Sequence, residues 1–176
     1  MRKVKLYIAT SLDNFIARPN GDIDWLESIH AAEDEDYGYG AFYKGIDTTV
    51  MGMATYRQIL GFDVPFPYPD KRNYVLTRQK GLAGDAHVQF VCDDIIGFIK
   101  TLKSKPGKDI WLVGGAQINT LFLEHGLIDE MILSRMPILI GRGIPLFTDH
   151  AAEQLFHLDQ CKSFKNGVVQ LTYKKP

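Results

Sequence analysis

Two stretches of the chain run an apolar strand into glycine where a helix begins, and both could hold a phosphate group. Ile110-Trp111-Leu112-Val113 meets Gly114-Gly115 before a helical pattern starts at Ala116. Asp47-Thr48-Thr49-Val50-Met51 ends at Gly52 before a second helical pattern, Met53 to Leu60. Glycine removes a Cβ where backbone N–H groups would face a ligand. A helix start adds unpaired N–H groups and a positive dipole end. For Gly114-Gly115 a second reading stands beside this one: a tight turn with close helix–strand packing and no ligand. Other chemistries lack their residues. His30, His87, His125, His150 and His157 are isolated, so neither HExxH nor another metal-ligand spacing is present and no metal is expected. The chain has no Gly-x-Ser-x-Gly elbow and no Walker loop. The deaminase signature, His-x-Glu with Pro-Cys-x-x-Cys, is also missing. What remains suits hydride transfer, where a cofactor carries the chemistry and the fold positions it.

The elements that would position these residues can be read along the chain. Val4 to Thr10 predicts a first strand. Ser11 to Gly21 carries turn chemistry, Asp13-Asn14 and then Pro19-Asn20-Gly21. With Phe15, Ile16, Trp25 and Leu26 embedded in or near it, this stretch reads either as a lid or as a loop packed on the core. Glu33-Asp34-Glu35-Asp36, followed by Tyr37, Tyr39, Phe42 and Tyr43, predicts a short helix with an acidic first turn. Gly38 and Gly40 would weaken that helix by roughly 1 kcal/mol each and leave room for something flat to approach. Arg72 to Thr77 and Val88 to Val91 predict strands. Asp93 is expected to cap a helix with Ile95, Ile96, Ile99 and Leu102 on one face. Ile128 to Ile140 is β-rich and broken at Pro137. The tail, Leu155 to Lys165 and Val168 to Lys174 around Asn166-Gly167, predicts a hairpin. Strands alternate with helices early and strands alone follow late. The expected fold class is therefore α/β, with a mixed, mostly parallel sheet and an antiparallel C-terminal hairpin.

At 176 residues a single domain, 1–176, is the expectation. A net charge of −1 with scattered charges makes nucleic acid an unexpected partner. No apolar run approaches the ~18 residues of a membrane span. The basic start Met1-Arg2-Lys3 has no apolar region or cleavage site after it. Cys92 and Cys161 lie far apart in sequence, which suits a cytoplasmic protein with reduced thiols.

Four stretches, in order, carry a family resemblance. Val50-Met51-Gly52-Met53-Ala54-Thr55-Tyr56 resembles the V-M-G-R-x-T-[WY] element of dihydrofolate reductases. Tyr74-Val75-Leu76-Thr77-Arg78-Gln79 resembles their next strand, and Trp111 to Ala116 their glycine-pair strand. Ser11-Leu12-Asp13-Asn14-Phe15-Ile16-Ala17 resembles the S-L-D-G-x-I-A opening of the riboflavin-biosynthesis reductase domain. So do Gly126-Leu127-Ile128-Asp129-Glu130, Pro137, Gly141, Gly143 and Pro145-Leu146-Phe147.

The resemblance implies a single-domain, three-layer dihydrofolate reductase-like fold and an NADPH-dependent reductase. The nearest activity would be 5-amino-6-(5-phosphoribosylamino)uracil reduction, with hydride passing from nicotinamide to a small heterocyclic or sugar C=N or C=O substrate. Dihydrofolate reduction and a non-catalytic nucleotide-binding sensor are the alternatives. By resemblance, Ala9 and Ile16 would meet the nicotinamide, with Ile16 on a mobile loop. Gly52, Met53, Ala54 and Thr55 would run along the pyrophosphate, while Leu76, Thr77 and Arg78 would receive the adenosine and its 2′-phosphate. Val113, Gly114, Gly115, Ala116, Gln117 and Ile118 would flank the nicotinamide ribose and pyrophosphate. Met53 stands where dihydrofolate reductases have Arg, and Asn14 where the riboflavin-type opening has Gly. For Asp36 two readings stand: by resemblance it is the candidate catalytic and substrate-binding acid, in a partly desolvated pocket, or it is a solvated residue at a helix N-terminus. For Trp25 two roles stay open: packing on the substrate ring, or stapling the loop to the core. A homodimer is expected through the strand-rich C-terminal half, where Ile138, Leu139 and Ile140 form an apolar run.

Overall fold

The computed structural model describes residues 1–29, 35–149 and 152–176. His30, Glu33, Asp34 and His150 lie outside them. The β-branched and apolar runs form an eight-stranded sheet. Its strands are β1 (Val4–Thr10), β3 (Ile46–Gly52), β4 (Arg72–Leu76), β5 (Val88–Val91), β6 (Asp109–Gly114), β7 (Glu130–Arg135), β9 (His157–Ser163) and β10 (Val169–Lys174). Their spatial order is β5-β4-β3-β6-β1-β7-β10-β9. The strands from β5 to β7 are parallel. The β9–β10 hairpin adds to β7 antiparallel. Gly167, at φ 86°, makes its turn, and Phe164 N–H bonds Val168 O at 2.8 Å. The α/β class and the antiparallel edge are as expected. Two short strands, β2 (Phe15–Ala17) and β8 (Ile144–Pro145), pair antiparallel beside the main sheet.

Side chains alternate across each strand, so each strand feeds two layers. Val4, Leu6, Ile110 and Leu112 pack under α3 (Ile95–Ser104) and α4 (Ala116–Glu124), with Ile99 and Phe122 fully buried among them. Tyr7, Trp111 and Val113 face the opposite way, toward α1 (Tyr39–Lys44) and α2 (Met53–Leu60), where Phe42, Tyr56 and Ile59 close the layer. Full burial of a side chain the size of Phe122 or Leu6 is worth about 1.5–3 kcal/mol. The three-layer arrangement follows from the sequence pattern. Among the described residues, no helix is long and apolar enough to cross a membrane.

Four local expectations are corrected. Helix α1 begins at Tyr39 and not in the acidic run, because Gly38 takes the left-handed conformation at φ 79° and sets the helix start. The helix has no acidic residue in its first turn. Gly38 therefore serves the backbone turn. The cap of α3 is Asp94, whose side chain accepts from Gly97 N, while Asp93 turns away to pair with Lys80 at 2.9 Å. Thr77 lies one residue beyond β4, although its N–H still reaches Val91 O at 3.0 Å. Regular pairing of β7 ends at Arg135, and the chain leaves the sheet before Pro137.

The stretch read as either a lid or a core-packed loop is densely tied. Leu12 N–H bonds Ile138 O at 2.8 Å, and Leu146 N–H bonds Asn14 O at 2.9 Å. The Asp13 carboxylate accepts from Gly141 N at 2.7 Å and Ile140 N at 3.3 Å. Arg135 donates to the Asn14 side chain. Asn14 sits at φ 67°, a left-handed position that glycine favours and asparagine tolerates. Segments held by this many bonds open less readily than free loops. Of the two readings, these ties are those of a loop packed on the core.

Candidate active site

The sheet reverses its winding between β3 and β6. From β3 the chain passes through α2, on one face, toward β4. From the adjacent β6 it passes through α4, on the other face, beyond β1 to β7. A crevice opens outside the carboxyl ends of strands at such a switch point. Both helix starts here have glycine at the cap, Gly52 for α2 and Gly115 for α4, and neither is capped by a side chain. Their N–H groups and dipoles therefore face the crevice, which suits an anionic ligand.

The geometry is close. A methyl added at Gly115 would lie 3.3 Å from Thr55 Oγ1 and 4.0 Å from Ile16 Cδ1. One added at Gly52 would lie 2.9 Å from Ile118 Cγ1 and 3.9 Å from Gly114 O. At Gly114 it would meet the Asn119 amide at 3.5 Å and Ile8 Cδ1 at 3.9 Å. Ile16, Gly52, Thr55, Gly114, Gly115 and Ile118 are thus brought together from three separate parts of the chain. The Gly114–Gly115 peptide is cis. Gly114 takes φ 115°, whereas Gly115 has φ −87°, which any residue can adopt.

The remaining residues named from the resemblance flank this centre. Ala9 and Val113 are half-buried on β1 and β6, on the sheet face toward α1 and α2. Met53 is half-buried, Ala54 and Gln117 are exposed, and Ala116 is buried, so its backbone is what the first turn of α4 offers. Leu76 is 2% exposed and belongs to the core. Beside it, Thr77 Oγ1 accepts from Gln79 N at 3.1 Å. Arg78 is exposed and has no ion pair among the described residues.

Asp36 is exposed, and its two oxygens accept from Gly38 N at 2.8 Å and Gly40 N at 2.9 Å. The bond from Gly40, then that from Gly38, holds its carboxyl below the usual range. This is a capping geometry, and of the two readings of Asp36 its surroundings are those of a solvated residue at a helix start. Trp25 is 1% exposed and packs with Met136 and Val168. This is the packing that stapling the loop to the core would require.

A polar network beside Ala9 was not foreseen. Tyr7 donates to Tyr37 O at 3.1 Å, and Gln170 Nε2 donates to the same oxygen at 2.9 Å and to Ser134 Oγ at 3.1 Å. Burial is the main cause that pushes the Tyr7 hydroxyl up to about 12. The only sequence signal for it was Tyr37, which sits at φ 53° between two residues of the acidic and glycine runs. Its partners lie far along the chain. Among the described residues, no three His, Cys, Asp or Glu side chains gather as a metal site would need.

Comparison with known proteins bears on this geometry. The chain is 39% identical over 172 residues to the uncharacterized protein YwjB of Bacillus subtilis, covering 98% of this chain and 97% of that one. It is 35% identical to a second Bacillus subtilis protein, YyaP, over 98% and 94% of the two chains. A solved structure from Shewanella sp. PV-4, described as a candidate riboflavin biosynthesis protein, matches with TM-score 0.89 and 32% identity over 99% of both chains. The bifunctional diaminohydroxyphosphoribosylaminopyrimidine deaminase/5-amino-6-(5-phosphoribosylamino)uracil reductase of Thermotoga maritima shares the fold at TM-score 0.73 and 16% identity. That match covers 99% of this chain and 57% of the longer one. Residues 2–170 match the family described as RibD C-terminal domain, and the chain belongs to that family of riboflavin-type reductase domains.

Proposed function

We propose that this chain is an NADPH-dependent oxidoreductase of riboflavin-pathway type, acting as one reductase domain on a small heterocyclic or sugar C=N or C=O substrate. The observation that carries the reading is the cradle at Gly115. The space a Cβ would take there is bounded by Thr55 and Ile16, at the meeting of two glycine-capped helix starts. That arrangement fits a dinucleotide whose pyrophosphate lies along backbone N–H groups.

In this reading Gly52 to Thr55 and Gly114 to Ile118 hold the pyrophosphate and nicotinamide ribose. Thr77 and Arg78 take the adenosine 2′-phosphate, with the guanidinium giving a charge-assisted, bidentate contact. Ala9 and Ile16 wall the nicotinamide, and the fixed loop keeps Ile16 in place. When bound, NADPH supplies the hydride. Asp36 is ionised and engaged by α1, so the proton comes from solvent or from the Tyr7 side of the pocket.

The test is NADPH oxidation against aminopyrimidine nucleotides, pterins and simple carbonyls. Turnover with an aminopyrimidine nucleotide supports the reading. Turnover with dihydrofolate alone would favour the dihydrofolate reductase alternative, and binding without turnover the sensor.

We also propose a homodimer in the cytoplasm, built on the C-terminal edge. All seven residues of β9 are exposed, and an uncovered edge strand tends to be paired or protected. Of the apolar run expected at the interface, Leu139 is 69% exposed, whereas Ile138 and Ile140 pack toward Trp25. Light scattering at micromolar concentration should give the dimer mass, and a monomer would count against it.

A further inference from the structure

Asn119, the fourth residue of α4, is 0% exposed. Its neighbours one turn on, Phe122 and Leu123, are core residues, and so is Leu146. An amide in such surroundings loses its hydration, and asparagine is a weak helix former. Its Nδ2 donates to Leu146 O at 2.9 Å, while its Oδ1 has no hydrogen-bond partner. A backbone carbonyl only accepts, so the N–H side of the amide must face Leu146. The side chain therefore leaves one acceptor unpaired in the core and makes one bond. Its use lies in what that bond holds.

Leu146 directly follows β8, which has two residues and includes Pro145, with no N–H for a ladder. β8 meets β2 only at Phe15 with Pro145 and at Ala17 with Ile144, with an irregular register between them. So sparse a ladder depends on ties from outside it. Leu146 supplies two: its N–H bonds Asn14 O at 2.9 Å, and its carbonyl takes the Asn119 amide. β2 carries Ile16, whose Cδ1 lies 4.0 Å from where a Cβ on Gly115 would sit. On the other side, Asn119 N–H bonds Gly115 O at 2.9 Å. One residue is thus bonded to the glycine turn and, through Leu146 and Asn14, to the strand that bears Ile16. The next residue reinforces the tie, because Thr120 Oγ1 accepts from Thr148 N at 2.8 Å and from Thr148 Oγ1 at 2.9 Å.

We propose that Asn119 is a positioning residue that sets the gap between Ile16 and the Gly115 turn. It stands behind the turn. A Cβ on Gly114 would meet its amide at 3.5 Å together with Ile8, whereas one on Gly115 would face Thr55 and Ile16. Asn119 therefore acts on a bound ring only through the two walls. Widening a contact by about 0.5–1 Å forfeits roughly a quarter to a half of its dispersion attraction, so a small shift of Ile16 matters. Taking the gap as the nicotinamide slot rests on the reductase reading; the tie itself does not.

Asn119→Leu keeps the size but removes both the unpaired acceptor and the N–H. Asn119→Ser keeps a hydroxyl too short to reach Leu146 O. In the Leu variant the relief of the acceptor and the lost bond oppose each other in stability. It should stay folded by circular dichroism, and the Ser variant serves if it does not. Hydrogen–deuterium exchange without ligand should run about tenfold faster at residues 14–17 and 144–146, with β1 and β6 unchanged. Calorimetry should show NADPH binding about tenfold weaker in the variants, while 2′,5′-ADP, a probe of the Thr77–Arg78 end alone, stays within about twofold. A side chain with a general structural role would lower Tm without this split. Unchanged exchange at both segments, unchanged NADPH affinity, or equal weakening of the two ligands in folded variants overturns the proposal. Wild type that binds no NADPH would sink the reductase reading alone, and the exchange rates would still decide the tie.

Discussion

Around Gly115 the site rests on residues that follow one another in the chain, strand then glycine then helix. Around Asp36 it rests on contacts such as that between Gln170 and Tyr37, 133 positions apart. On the first side the local pattern already implies the chemistry, because a glycine at a strand end exposes N–H groups wherever the next helix goes. On the second side Tyr37 and Trp25 are settled by distant segments, while Asp36 is held locally by the N–H groups of Gly38 and Gly40. Asp36 caps a helix, Tyr37 lies under Gln170, and Trp25 is closed over by Met136 and Val168. A polar or aromatic residue in a loop declares a type of chemistry. Its neighbours decide whether that chemistry is used.

The largest effect should come from the second side. Trp25→Ala removes a buried ring and should cost about 3–5 kcal/mol of stability, as such truncations do in cores, measured by denaturant unfolding. A small stability change with weakened substrate use would return Trp25 to the substrate pocket and blur the contrast between the sides.

On the cofactor side, Arg78→Ala should remove most of the preference for NADPH over NADH. A hydrogen-bonded charge of this kind contributes about 1.5–3 kcal/mol, roughly ten- to a hundredfold in affinity. Equal affinity of wild type for the two cofactors would contradict the assignment.

The smallest kinetic effect is expected at Asp36. Asp36→Asn should leave kcat within a few-fold and lower Tm by a few degrees. The folded carboxyl is held below its ordinary value. Its stabilising contribution is therefore complete above the usual carboxylate range and is lost as pH falls through the folded value. Thermal melts of wild type and variant should converge at acid pH. A fall in kcat of roughly a hundredfold, the scale of acid–base assistance, would restore Asp36 as the proton source.

What the sequence disclosed follows the same division. β5 falls at Val88–Val91 and the tail turns at Asn166-Gly167, because short-range pattern and turn chemistry decide both. Gly52, Thr55 and Gly115 converge because two strand–glycine–helix units meet at the switch point, and Ile16 reaches them from β2. The start of α1 was not legible, since Gly38 in a left-handed conformation outweighs the dipole preference of an acidic run. For the loop, the embedded apolar residues left packing on the core as one of two readings, but its partners were not legible. Its ties run from Leu12, Asp13 and Asn14 to residues 135–146, and no local feature of the loop announces them.

The central claim is that a dinucleotide lies across the crevice between Gly52 and Gly115. Gly115→Ala tests it most directly, because Gly115 has an ordinary φ and the added methyl meets only a 3.3 Å contact with Thr55 Oγ1. The variant should fold, whereas the same change at Gly114, with φ 115°, would also strain the backbone. Calorimetric titration should show NADPH binding to wild type and at least tenfold weaker binding to the folded variant, a loss of about 1.4 kcal/mol or more. Unchanged affinity in a folded Gly115→Ala protein would contradict the account and leave the glycine pair as a packing turn.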